Sequence, residues 1–140
     1  MRRVKIVLNS LIVIVLCFFS ISLFAQVEIP RGKSGSDYAN EAKRYVRGIS
    51  VEEAKEIYDR DKTTLFVDVR PYTEYAKYGY LFRRLDLPAG RLIFDSRFRI
   101  SHKDTPIITY CKKGKRAAIA AAQLAQIGYT NVRYLEGGIL

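Results

Sequence analysis

Pro106-Ile107-Ile108-Thr109-Tyr110 is a short, apolar, β-branched run, and Ala117 to Ile127 is a stretch of strong helix formers. The first has the length and composition of a buried strand. The second stops at Gly128, a residue suited to the C′ position of a helix. Between them lies Cys111-Lys112-Lys113-Gly114-Lys115-Arg116. This loop therefore joins the C-terminal end of a strand to the N-terminus of a helix, which is where open α/β sheets hold their ligands.

The chain ahead of this unit repeats the alternation. Ser50 and Glu53 form a capping box for a helix over Val51 to Arg60, with Ala54, Ile57 and Tyr58 on its buried side. Thr64 to Val69 is a near-continuous apolar run, as expected of a central parallel strand. Pro71 opens a short helix to about Lys77. Leu85-Asp86-Leu87 is expected to be a short strand ended by Pro88, and Arg91 to Phe98 a helix with Leu92, Ile93 and Phe94 apolar. Ser101 to Thr105 is a turn holding His102, the only histidine, which reads as a surface residue. Asn131 to Leu135 is the last strand. Strands alternating with helices from Ser50 onward imply βα units and a parallel sheet. Ala117, Ala118, Ala120, Ala121, Ala122 and Ala125 make the helix after the loop slim enough to pack closely on that sheet, with Ile119, Leu124 and Ile127 as its larger contacts.

The loop carries the chemistry. Cys111 would face unpaired N–H groups and the positive end of a helix dipole, with Lys112, Lys113, Lys115 and Arg116 adjacent. Both effects favour the thiolate, which is the nucleophile. Gly114 lets the backbone turn its N–H groups inward. The same features bind an anion, so the pattern points to attack by sulfur on an anionic substrate. The competing reading is a small buried Cys111 beside a solvated basic surface. Asp68 interrupts an apolar strand and needs a partner there. Either an ion pair or backbone bonds satisfy it, or Asp68 and Arg70 support the loop and line its pocket.

The N-terminus reads as a targeting segment. A basic start, Met1 to Lys5, precedes an apolar run that ends near Ala25. This is the pattern of a secretory signal cut near Ala25-Gln26. Retained instead, residues 6–25 would tether the domain to a membrane. Either route puts the domain outside the cytoplasm, in the periplasm or an equivalent compartment. Gln26 to Ser36 is a polar linker. A helix from Tyr38 to Arg47 follows, capped by Asp37, ended by Gly48, and packed through Tyr38, Ala42, Tyr45 and Val46. The organisation is thus residues 1–25 as signal or anchor, 26–48 as linker and short helix, and 49–140 as one catalytic-type domain. Of the two cysteines, Cys17 falls in the targeting segment, so Cys111 is the lone thiol of the exported part. One Cys and one His cannot close a metal site, and no cofactor motif is present. The net charge of +10 includes Arg2, Arg3 and Lys5; the rest is spread along the chain and reads as a solvated basic surface that draws small anions, without a nucleic-acid partner.

The loop from Cys111 to Arg116 resembles the active-site loop of rhodaneses, the single-domain sulfurtransferases: a cysteine opens a six-residue loop that ends in arginine and a helix start. The resemblance covers roughly residues 48–138. Ile49 to Ala54 is similar to the family's opening segment, Val67-Asp68-Val69-Arg70 with Glu74-Tyr75 to its Asp-Val-Arg strand end and next helix, and Leu135-Glu136-Gly137-Gly138 to its closing glycine pair. Two departures stand out. Gly79-Tyr80-Leu81 replaces the usual Gly-His-Ile, and the sequence ends at Leu140 where family members usually continue into a helix that covers one sheet face.

The resemblance implies a three-layer α/β/α domain with a five-stranded parallel sheet. It also implies a thiosulfate-type sulfurtransferase that works through a Cys111 persulfide. Lys112, Lys113, Gly114, Lys115 and Arg116 would hold the anionic donor, and cyanide or a thiol would accept the sulfur. Two other readings use the same residues. One is a persulfide-relay or anion-sensing module without turnover. The other is a phosphatase or arsenate-reductase-like enzyme, in which five residues separate cysteine from arginine. Here four do, which leaves less room for a phosphoryl group.

Overall fold

The computed structural model describes residues 32–140, so the signal or anchor expected over residues 1–25 lies outside the described residues. Among the described residues, no helix is long and apolar enough to cross a membrane. Chain order is α1 (Gly35–Ala42), β1 (Arg47–Ile49), α2 (Val51–Arg60), β2 (Leu65–Asp68), a 3-10 turn (Tyr72–Glu74) running into α3 (Tyr75–Tyr78), β3 (Leu85–Asp86), α4 (Leu92–Arg99), β4 (Ile107–Tyr110), α5 (Lys115–Gln126) and β5 (Val132–Leu135). The strands form one parallel five-stranded sheet in the order β1-β5-β4-β2-β3.

Strand composition follows from double-sided burial. In β2, Phe66 faces one core with Ile108 and Tyr110 of β4, while Val67 faces the other with Ile107. Ala54 of α2 is buried on the Phe66 side, with Ile57 and Tyr58 packed against it; Ala42, Leu92 and the α5 alanines cover the Val67 side. The result is three layers, with β2 and β4 buried on both faces and so almost wholly apolar. Ala117, Ala118, Ala120 and Ala121 are fully buried, as the slim-helix argument requires, whereas Ala125 is exposed. Helix α5 ends in a Schellman motif: Tyr129 N–H donates to Leu124 O at 3.1 Å and Gly128 N–H to Ala125 O at 3.0 Å. Gly128 takes the left-handed conformation this needs, φ +97°.

The N-terminal helix differs from the expectation. It spans Gly35–Ala42, capped by Ser34, and Asp37 is the reciprocal N3 residue of the capping box rather than the cap. Arg47 to Ile49 is strand, paired with Arg133 to Leu135. Burying Ile49 against the sheet outweighs extending a short helix. Tyr38 and Tyr45 are consequently exposed, and Ala39, Ala42 and Val46 are the buried residues of this segment. Helix α4 also departs: only Leu92 of its three apolar starters is buried, and Ile93 and Phe94 face solvent.

Candidate active site

Strand β4 delivers Cys111 to the C-terminal edge of the sheet, and the loop 112–114 leads into α5. Thr109 fixes both ends of this turn. Its hydroxyl, fully buried, donates to Ala117 O at 2.8 Å and so ties β4 to the first turn of α5. Gly114 is the N-cap, with φ +79° and no side-chain cap, which leaves the first-turn amides of α5 open to the loop. Cys111 is 2% exposed and lies in the wall of a cavity of about 460 Å³. Lys112, Lys113, Lys115, Arg116, Ile119 and the Ser34–Ser36 segment at the start of α1 complete that wall.

The cations do not all stand free. Arg116 Nη1 and Nη2 donate to Glu74 Oε1 and Oε2 at 2.7 and 3.0 Å, a bidentate pair. Glu74 lifts the Arg116 guanidinium above its ordinary value, and Cys111 adds to the effect. In return Arg116 holds the Glu74 carboxyl below the usual carboxylate range. A depressed carboxyl is fully ionised above its ordinary value and loses the pair only as pH falls through the lowered one, so the pair is intact at neutral pH. Lys112 Nζ donates to the Tyr78 hydroxyl at 2.7 Å and sits 3.9 Å from that ring's centroid. Lys115 Nζ donates to Ser36 Oγ at 2.9 Å. Lys113 is exposed.

The loop is held from behind by the end of the chain. Ile139 N–H donates to Cys111 O at 2.9 Å. Gly138 has φ +83°, and a Cβ there would overlap the Lys112 carbonyl and sit 2.5 Å from Lys113 N. Only glycine allows so close a backbone approach. Gly138→Ala is therefore expected to cost about 2 kcal/mol through strain and displacement of the loop. Urea unfolding should show a lower midpoint with an unchanged slope.

Asp68 and Arg70 lie elsewhere. Both are fully buried and paired, Arg70 Nη2 to Asp68 Oδ2 at 2.7 Å and Arg70 Nε to Asp68 Oδ1 at 2.9 Å. Neither lines the Cys111 cavity. His102 is exposed in the turn that leads into β4, at the far end of that strand from Cys111. Among the described residues, no group of His, Cys, Asp and Glu could hold a metal ion. The sequence reading missed Glu74, Tyr78, Thr109, Ser36 and the backing role of Gly138. Glu74 is 42 residues from Arg116, and no local spacing announces such a contact.

The family model of the rhodanese-like domain matches residues 50–140. The chain belongs to the rhodanese-like domain family. Helix α1 and β1 precede the matched segment, so Ser34 to Ser36 bring to this rhodanese-like site a wall from outside it. Over 84 residues the chain is 33% identical to the tRNA uridine(34) hydroxylase of Escherichia coli, which covers 57% of this chain and 24% of that one. The chain thus spans about a quarter of the length of that curated relative. Among solved structures, a protein of unknown function from Rhodopseudomonas palustris, described as a possible tyrosine phosphatase, superposes with a TM-score of 0.69 at 21% identity over 79% of this chain and 90% of that one. A thiosulfate sulfurtransferase from Pseudomonas aeruginosa superposes with a TM-score of 0.65 at 21% identity, covering 74% of this chain and 20% of that one. At those identities the two structures speak for the rhodanese-like fold.

Proposed function

We propose that this chain is an exported sulfurtransferase that moves sulfane sulfur from an anionic donor such as thiosulfate to a thiol or cyanide through a persulfide on Cys111. The observation that carries the reading is the position of Cys111: a thiol in the wall of a cavity built from three lysines, an arginine and a helix start. In the first half-reaction the Cys111 thiolate attacks the outer sulfur of thiosulfate. A new S–S bond forms, the original S–S bond breaks, and its electron pair leaves with sulfite. In the second, the acceptor attacks the terminal sulfur and the Cys111 thiolate departs. Open amides at the α5 start stabilise the persulfide anion without reorganising.

The geometry divides the labour among the cations. Arg116 is paired through both terminal nitrogens with Glu74, whereas Lys112 and Lys115 bond only neutral hydroxyls and keep their charge, so the three lysines and the loop amides are the groups left to meet the donor. Glu74→Gln removes the negative charge and frees the guanidinium. This variant is expected to lower KM for thiosulfate by about three- to tenfold at pH 7, the worth of one charge-assisted contact. Steady-state kinetics over a thiosulfate series measures it; a raised KM would mean that Glu74 serves only to position Arg116.

Intact mass of the chain before and after thiosulfate tests the central step. The expected result is a gain of one sulfur atom that a reducing agent reverses. An unmodified, folded protein that instead hydrolyses a phosphate ester would replace this reading with the phosphatase one. Delivery by residues 1–25 to the far side of a membrane belongs to the same proposal, and a reporter fused after residue 36 and active only outside the cytoplasm checks it.

A further inference from the structure

A second cleft lies at the other end of the sheet. It has a volume of about 220 Å³ and is walled by Lys62, Thr64, Arg83, Arg84 and Arg99 over the starts of β2 and β3 at Leu65 and Leu85. Because the strands are parallel, their starts lie on the edge away from the loop that follows β4.

The charge of this cleft is compensated only in part: Asp59, bonded first to Lys55, also feels the charges of Lys62 and Arg83, and the Asp61 carboxylate accepts from the hydroxyl of Thr64 in the wall. Among the described residues, no carboxylate lines the cleft. Arg84 is paired with Asp86. Lys62 Nζ reaches a main-chain carbonyl, Asp59 O at 2.7 Å, and Arg83 Nη2 reaches Asp61 O at 3.0 Å as well as Tyr58 O. These carbonyls orient the two cations and leave their charge in place. Arg83 Nε is buried and has no hydrogen-bond partner among the described residues. Arg99 closes α4 and is exposed. With Arg84 paired, three like charges still face one small cleft whose wall holds no carboxylate, an arrangement that favours an anion there. A buried N–H donor without a partner leaves an unrelieved desolvation cost on one of these cations, whose guanidinium lies 4.5 Å from the Tyr58 ring centroid.

The geometry points to a binding site for a phosphate group, separate from the Cys111 cavity. Guanidinium forks match tetrahedral oxyanions better than an ammonium does, and two of the three cations without an ion-pair partner in the wall are arginines. A dianion also answers three positive charges better than a single carboxylate. The volume suits one phosphate group with its water and falls below the roughly 300–1,000 Å³ of pockets for larger organic ligands. The phosphate has two candidate sources. One is the free ion. The other is a lipid headgroup: Phe82, 95% exposed, precedes Arg83, and Phe98, 72% exposed, precedes Arg99, and exposed aromatic rings beside arginines suit a lipid interface.

The test uses the full chain and the double variant K62Q/R99Q, whose two side chains are exposed and whose loss leaves the core untouched. Affinity for inorganic phosphate is measured by titration. Binding to phosphatidylglycerol and phosphatidylcholine vesicles is measured by sedimentation. The apolar residues 6–25 contribute equally to wild type and variant, so the difference between the two reports the cleft. Phosphate affinity that falls roughly tenfold or more in the variant establishes a free-ion site. Phosphatidylglycerol binding that falls by the same factor, with phosphatidylcholine binding unchanged, establishes a headgroup site. Absence of binding to either probe, or equal binding by wild type and variant, overturns the proposal. So does phosphate binding that Lys113→Gln weakens and K62Q/R99Q does not, because the ion would then sit beside Cys111.

Discussion

Cys111→Ser is expected to lower kcat/KM for thiosulfate by at least about a thousandfold, since the variant loses the covalent step and not merely a binding contact. A serine hydroxyl stays protonated at neutral pH, and among the described residues neither His nor carboxylate is hydrogen-bonded to Cys111 to serve as its base. The fold should survive. The exchange of sulfur for oxygen nearly conserves volume, and Cys111 borders a cavity rather than sitting in close-packed interior, so stability should move by about 1 kcal/mol or less. Two readouts are needed together: turnover with cyanide as acceptor, and the sulfur adduct by intact mass. Loss of both with an unchanged unfolding midpoint is the expected result. Retained turnover would remove Cys111 from the mechanism. A wild-type chain that takes up one sulfur atom yet turns over only with a protein acceptor would instead identify the relay module, in which the same persulfide is handed to a partner.

What the sequence revealed divides along a physical line. Features set by neighbours in the chain were legible. The β-branched run before Cys111, the Ser50 cap with its side chain accepting from Glu53 N–H, the alanine-rich α5 and the Gly128 stop are local, and each appears where expected. The second half of the expected Ser50–Glu53 box is the exception. Glu53 pairs with Arg47 at 2.8 Å instead, a contact that depends on β1 being in the sheet. Features set by distant residues were not legible. Strand β1 is three residues long and exists because β5 pairs with it; its Gly48 reads locally as a helix stop. Glu74 carries no mark in the sequence of the arginine it clamps. The exposure of Phe94 and Phe98 breaks the rule that aromatic residues of a short helix point inward, and hydrophobicity alone cannot show which face the sheet takes. The loop itself was readable because its chemistry is concentrated in six consecutive residues. Its support was not, because the groups that hold it, Glu74, Tyr78 and Gly138, come from three other segments.

Asp68→Ala is expected to destabilise the domain by about 3–5 kcal/mol, the cost of leaving one member of a buried ion pair without the other. Arg70 has little else. Its Nη1 already lacks a partner among the described residues, its Nη2 donates to Gly79 O at 2.8 Å, and its guanidinium packs 5.3 and 5.7 Å from the ring centroids of Tyr75 and Tyr110. Asp68 supplies the remaining bonds, including one from Arg70 N–H at 3.1 Å, and it is the main reason the guanidinium is held above its ordinary value. Against a total stability of about 5–15 kcal/mol for a domain of this kind, such a loss leaves little margin. The double change Asp68→Leu with Arg70→Met should be much less damaging than Asp68→Ala, because it removes both charges and fills the space. Urea unfolding of the two variants beside wild type decides the matter. Equal losses would mean that the site tolerates a bare guanidinium through water. The pair also reaches the candidate active site. By holding Gly79 O it anchors the far end of the segment from Pro71 to Gly79, which carries Glu74 against Arg116 and Tyr78 against Lys112. Where the double variant folds, its KM for thiosulfate should therefore move while the Cys111 adduct still forms, which separates a positioning role from a chemical one.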